Sequence, residues 1–149
     1  MKNIDYFKLQ AKNLFRDYKT KKPYVDDIDG ETYYKYTPKY FDIDQIFLDY
    51  DWDEEKFSLM NAQHLIANMV GFRKWNDLIK ASETELELAK LLFDNQDKIS
   101  IDEWQDHIGG IAINNNVVLD DESKLAIFKK TIVNVDGHKS MFSSYRISK

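Results

Sequence analysis

The sequence predicts a mainly α fold: a compact bundle of six or seven short helices with a small Tyr-rich non-helical or hairpin insert. Three observations predict it. Apolar residues recur at three- and four-residue steps in several separate stretches, as one face of a helix requires. Ser58, Ser82 and Ser100 stand where helix N-termini need a capping oxygen. Tyrosines crowd one stretch between residues 24 and 41, around Pro38, where that periodicity lapses. At 149 residues, a single helical domain over 1–149 is expected, with 1–80 and 81–149 as candidate subdomains.

The first predicted helix covers residues 3–20. Ile4, Phe7, Ala11, Leu14, Phe15 and Tyr18 form its apolar stripe, and Lys8, Lys12, Arg16 and Lys19 a basic stripe beside it. Lys21-Lys22 and Pro23 end it. Asp26, Asp27, Asp29 and Gly30 then make a turn. Tyr33, Tyr34, Tyr36, Tyr40 and Phe41 follow, in the partial alternation of a brief hairpin or an extended segment. Ile43, Ile46, Phe47 and Tyr50 suggest a short helix inside an acidic stretch. Residues 42–55 hold seven acids and no Lys or Arg, whereas the first 22 residues carry seven cations and two acids. Attraction between these two segments is expected to help their packing, by a few tenths of a kcal/mol per exposed pair at most.

Ser58 is the N-cap of a helix carrying Leu59, Ala62, Ile66 and Met69. Gly71 falls at the left-handed C′ position and Phe72 at C″, so the chain reverses there into a helix begun by Trp75, Leu78 and Ile79. Ser82 with Glu85, and Ser100 with Glu103, are capping boxes. They open helices through Leu86, Ala89, Leu92 and Phe93, and through Trp104 and Ile108. Gly109-Gly110 is expected to end the second, leaving 111–119 as a loop or short strand. Asp120 or Asp121 caps a last helix with Leu125, Phe128 and Ile132. The tail from Asn134 is expected to be irregular, pinned by Met141, Phe142 and Tyr145.

Composition narrows the chemistry. There is no cysteine, which excludes disulfides and thiolate metal sites. No apolar run approaches the ~20 residues of a membrane span, and MKNIDYFKLQ has no apolar signal core, so a cytoplasmic protein is expected. His64, His107 and His138 show no metal-ligand spacing. There is no nucleophile elbow and no P-loop. No catalytic residue, cofactor or metal site is assigned. An acid–base site around His107 would need no motif and is the reading an enzyme would require.

Two further patterns point elsewhere. Ala67 and Gly71 stand four apart, as in a helix-turn-helix. The following helix would offer Arg73, Lys74, Asn76 and Lys80 to a groove. With Lys8, Lys12 and Arg16, these form a candidate nucleic-acid surface, against which the net charge of −5 argues. Residues 83–147 resemble a degenerate pair of EF-hands. Asp94 to Glu103 ends like a calcium loop but is two residues short. The second loop, from Asn134, has Lys139 where Gly is needed and Tyr145 where the bidentate Glu is needed. A complete oxygen cage cannot form from these residues.

Lys8-Leu9-Gln10-Ala11-Lys12-Asn13-Leu14, then Ala62-Gln63-His64-Leu65-Ile66-Ala67 and Gly71 to Leu78, resemble a small helical module of uncharacterised bacterial proteins. In that module a KxQAKxL helix precedes an AQxxIAxxxGFxxWxxL hairpin. The resemblance covers residues 4–80 and implies the helical fold and a bacterial origin. It implies no activity. The expectation is therefore a non-catalytic binding or adaptor protein whose partner is another protein, with no membrane and with Tyr33, Tyr34 and Tyr36 as contact residues.

Overall fold

The computed structural model describes residues 2–147. Helix α1 (Asn3–Tyr18) buries Phe7, Ala11, Leu14 and Tyr18, whose steps of four and three residues place them on one face. That face packs on α3 (Leu59–Met69) and α5 (Glu83–Asp94). From these come Ala62, Leu65, Ile66 and Met69, and Leu86, Ala89, Leu92 and Phe93. Phe7 and Phe41 both meet the Phe93 ring edge to face, at centroid distances of 6.2 and 6.1 Å. Each fully buried ring contributes roughly 2–3 kcal/mol. The fold is mainly α: among the described residues there are seven α-helices and one two-stranded sheet.

A buried carboxylate fastens the next segment to α1. Asp17 is 2% exposed and accepts the backbone N–H groups of Lys39, Tyr40 and Phe41 at 3.0, 2.7 and 2.8 Å. One turn on, the Thr20 hydroxyl accepts the N–H of Thr37 at 2.8 Å. These bonds deliver Phe41 into the core and start α2 (Ile43–Asp49), which Asp42 caps by accepting the Gln45 N–H.

The reversal after α3 is a Schellman turn. Gly71 has φ +94°. The Phe72 N–H bonds the Ala67 carbonyl and the Gly71 N–H that of Asn68, the pairing this motif requires. The Asn68 amide donates to the carbonyls of Phe72 and Arg73, both at 2.9 Å. His64 Nδ1 accepts the Trp75 N–H at 3.2 Å, serving a helix that has no cap of its own. That helix, α4 (Trp75–Ile79), buries Leu78, and Trp75 packs half-buried against the core.

Both serine capping boxes form, at α5 and at α6 (Ile101–Asn114). Gly109-Gly110 does not end α6, contrary to expectation. The helix runs on to Asn114 and stops at a second Schellman turn, with Asn116 at φ +50° and the Val117 N–H on the Ala112 carbonyl. Two interior glycines each cost about 1 kcal/mol of helix propensity; the capped start and buried Trp104 outweigh that. Asp120 caps α7 (Asp121–Phe128), where Phe128 meets Trp104 edge to face at 4.9 Å. A π turn, Lys129–Val133, follows.

The tail is held only in part as its apolar residues suggest. Met141 and Phe142 are 89% and 62% exposed. Tyr145, the third expected anchor, does pack half-buried against the core beside Tyr50, and backbone bonds complete the pinning: Asp42 N–H to Tyr145 O, Ile147 N–H to Tyr40 O, and Ser140 N–H to Asp97 O. Tyr145 also donates to the Asp49 carboxylate at 2.6 Å. Charge attraction between the first 22 residues and residues 42–55 comes down to Lys21 beside Glu54, with no ion pair between the two segments among the described residues. Among the described residues the recorded ion pairs are Lys90–Asp94, Lys129–Glu87 and Arg146–Asp94. The two segments meet through Tyr18 and Lys21, which donate to the backbone carbonyl of Glu54.

Candidate functional site

Between α1 and α2 the chain makes an antiparallel hairpin. Strand β1 (Lys22–Val25) pairs with β2 (Thr32–Lys35), Lys22 opposite Lys35 and Tyr24 opposite Tyr33. Its turn is built from carboxylates. Asp26 accepts the N–H groups of Ile28 and Asp29, and Asp29 accepts the N–H of Glu31 and the hydroxyl of Tyr33. Gly30, at φ +72°, supplies the left-handed step. The Asp26 N–H to Glu31 O bond continues the ladder, so Pro23 falls at a pair that exchanges no hydrogen bonds. Its missing N–H therefore lies on the outer edge, where proline is tolerated and where it blocks addition of another strand.

The hairpin buries neither face: seven of its eight strand residues are exposed and Tyr34 is half-buried. On the outer face the Tyr24 and Tyr33 rings lie side by side, 5.9 Å apart, with Lys35 Nζ 5.2 Å from the Tyr24 centroid. Tyr24 and Tyr33 are 40% and 42% exposed; Ile28 in the turn is 96% exposed, and Val25, which alternation turns to the opposite face, is 64% exposed. The root is tied down on the other face. Lys21 Nζ sits between the Tyr18 and Tyr34 rings, at 4.9 and 4.5 Å. The Tyr34 hydroxyl reaches Glu55 at 3.3 Å.

The three tyrosines singled out by sequence thus occupy three environments. Tyr33 is exposed, Tyr34 is half-buried at the root, and Tyr36 belongs to the body. The Tyr36 ring stacks on Phe47 at 6.3 Å, and its hydroxyl is buried near the Glu54 carboxylate; burial, and then that negative charge, raise its pKa above the ordinary tyrosine value. Tyr24, which alternation alone did not single out, completes the outer face because register places it opposite Tyr33.

The cations fall into two groups. Lys8, Lys12 and Arg16 are exposed along one side of α1, and none forms an ion pair among the described residues. Arg73 and Lys74 are exposed in the turn before α4. Among the described residues no ion pair joins them to the α1 stripe. Helix α4 has five residues, little more than one turn to lay in a groove.

His107 is exposed on α6, with its ring 6.0 Å from that of Trp104, and His138 is exposed in the tail. The cleft beside the tail, about 710 Å³, is lined by Tyr50, Gln96, Ser100, Ile101 and Tyr145 among others, with no histidine or lysine. Its Ser100 hydroxyl is committed to the α6 cap. Burial, and then the charge of Asp102, push the Tyr50 pKa up to about 12.

In the loops that resemble EF-hands the carboxylates face donors. Asp94 accepts from Tyr6, Lys90 and Arg146. Glu103 accepts from Ser140 Oγ at 2.5 Å and from the Ser100 N–H at 2.9 Å, and these bonds hold its pKa below the usual glutamate value. Among the described residues no three His, Asp or Glu side chains converge on a point where a metal ion could sit.

Compared with protein-family models, with curated proteins and with solved structures, the chain finds no match. No helix among the described residues is long and apolar enough to cross a membrane.

Proposed function

We propose that this chain is a non-catalytic protein-binding or adaptor module whose contact surface is the outer face of the β1–β2 hairpin. One observation carries the reading. Two adjacent tyrosine rings stay in solvent on the outer face of an element fastened to the body, with Ile28 exposed at its tip. Rigid, exposed aromatics are what protein contacts use as anchors, because little ordering entropy is lost when they are covered. Tyr33 is the retained anchor, Tyr24 joins it, and Tyr34 sets the hairpin's angle. Tyr36 acts through packing. The helices close around one core as a bundle, in a single domain, and the resemblance over residues 4–80 supports a bacterial, cytoplasmic setting.

A photo-crosslinking residue placed at Tyr33 tests this, with the same residue at exposed Met60 on α3 as the control. Discrete crosslinked protein bands in bacterial lysate are expected from position 33 and not from position 60. Equal, diffuse labelling from both would remove the hairpin as the contact.

A second reading, a nucleic-acid-binding regulator, is favoured by the unpaired stripe Lys8, Lys12 and Arg16, with Arg73 and Lys74 as its second arm. Phosphate contacts release counterions, so affinity for duplex DNA would fall steeply with salt. A flat salt dependence would remove this reading.

A further inference from the structure

Helix α1 carries two polar side chains on the side it buries. Gln10 and Asn13 are 7% and 8% exposed, and neither side-chain amide has a hydrogen-bond partner among the described residues. These amides are not sealed from water: among the described residues the buried side-chain groups left without a partner are Tyr36 Oη and Gln96 Nε2, so the Gln10 and Asn13 amides meet solvent where a cleft opens. Both line a cleft of about 480 Å³ shared with Tyr6, Lys90, Asp94 and Arg146, a volume in the range of small-molecule sites.

The charges of that cleft are arranged around Asp94. Its carboxylate accepts from the Tyr6 hydroxyl, from Lys90 Nζ at 3.0 Å and from Arg146 Nη1 at 3.3 Å. One anion thus faces two cations, leaving a net positive charge. The Arg146 side chain is 11% exposed and lies 4.6 Å over the Phe93 ring. A guanidinium has five N–H donors, and the contacts with Asp94 and the Tyr6 hydroxyl engage only some of them. Lys90 keeps further donors and is 40% exposed. The wall therefore offers surplus cationic donors beside two amides that can each donate and accept.

We infer that this cleft binds a small organic anion, whose carboxylate or phosphate pairs with Lys90 and Arg146 while Gln10 and Asn13 bond its polar body. The site is separate from the hairpin surface, and its failure would leave that reading standing.

The test is thermal unfolding of the full chain at constant ionic strength, with citrate, glucose 6-phosphate and uncharged glucose as probes. One of the two anions is expected to raise the midpoint and glucose is not; which anion does so separates carboxylate from phosphate. Lys90→Met, at a partly exposed position, and Gln10→Met should each weaken that anion's binding about tenfold. Gln10→Met should leave the free protein about as stable as before, since the amide faces the cleft's water and no partner in the chain. The inference is overturned if neither anion shifts the midpoint or if the shift survives in both variants.

Discussion

Aromatic rings pair in both the helical body and the hairpin, with opposite consequences for solvent. In the body, Phe7, Phe41 and Phe93 meet edge to face and are fully buried, and Trp104 and Phe128 do the same on the other side. In the hairpin, Tyr24 and Tyr33 lie at a comparable distance and stay about two-fifths exposed. Ring pairing by itself adds of order 0.5–1.5 kcal/mol; the larger contribution comes from area removed from water. The body takes both terms. The hairpin takes only the first and leaves the second available to whatever covers it.

The contrast breaks first at the joint between the two regions. Asp17→Ala strands three backbone N–H groups that position residues 39–41, and should cost on the order of 3 kcal/mol. Urea unfolding measures it; a loss below about 1 kcal/mol would mean the segment is held by Phe41 alone. At the α3–α4 corner, Gly71→Ala forces a side chain into φ +94°, with its Cβ 3.1 Å from Ile101 Cδ1 and 3.3 Å from Gln105 Nε2. A loss of about 1–3 kcal/mol is expected, read from the same transitions.

Alkaline titration sharpens the comparison within the body. Burial is the main cause raising the pKa of Tyr6, Tyr36, Tyr50 and Tyr145. A tyrosine whose folded pKa exceeds its unfolded value near 10 contributes stability that is intact below pH 10. That stability fades as pH rises towards the folded value, about 12 for Tyr50. Thermal midpoints should therefore fall progressively above pH 10, ahead of the tyrosinate absorbance of the folded state. A midpoint flat to pH 12 would contradict the burial of these hydroxyls. Glu103 works in the opposite direction. Its bonds to Ser140 and Ser100 depress its pKa, so the stability it lends is present above the ordinary glutamate range and is lost on acidification. Ser140→Ala should shrink that acid-side loss, a smaller effect because Glu103 is partly solvated.

How much of this was legible in the sequence depended on the range of the interaction. The α3 reversal could be read because Gly71 and Phe72 follow the helix at fixed offsets. The end of α6 could not, because Asn116 took the left-handed position while two glycines inside the helix imitated a stop. Aromatic alternation leaves a hairpin and an extended segment equally open, and which tyrosines face outward depends on cross-strand register, so alternation groups Tyr36 with Tyr33 and does not single out Tyr24. Asp17 was invisible for another reason: its partners lie 22 to 24 residues away, and only the fold brings them together. The tail misled in the same way, since Met141 and Phe142 looked like anchors while the anchoring is done by Tyr145 and by backbone groups of residues 140–147.

The account rests on the hairpin face being dispensable for folding and necessary for association. The most direct measurement takes the Tyr24→Ala/Tyr33→Ala double variant through urea unfolding and lysate capture side by side with the unaltered chain. Stability should change by less than about 1 kcal/mol while the captured proteins disappear. A variant that unfolds several kcal/mol more easily, or that stays folded and captures the same proteins, would contradict it.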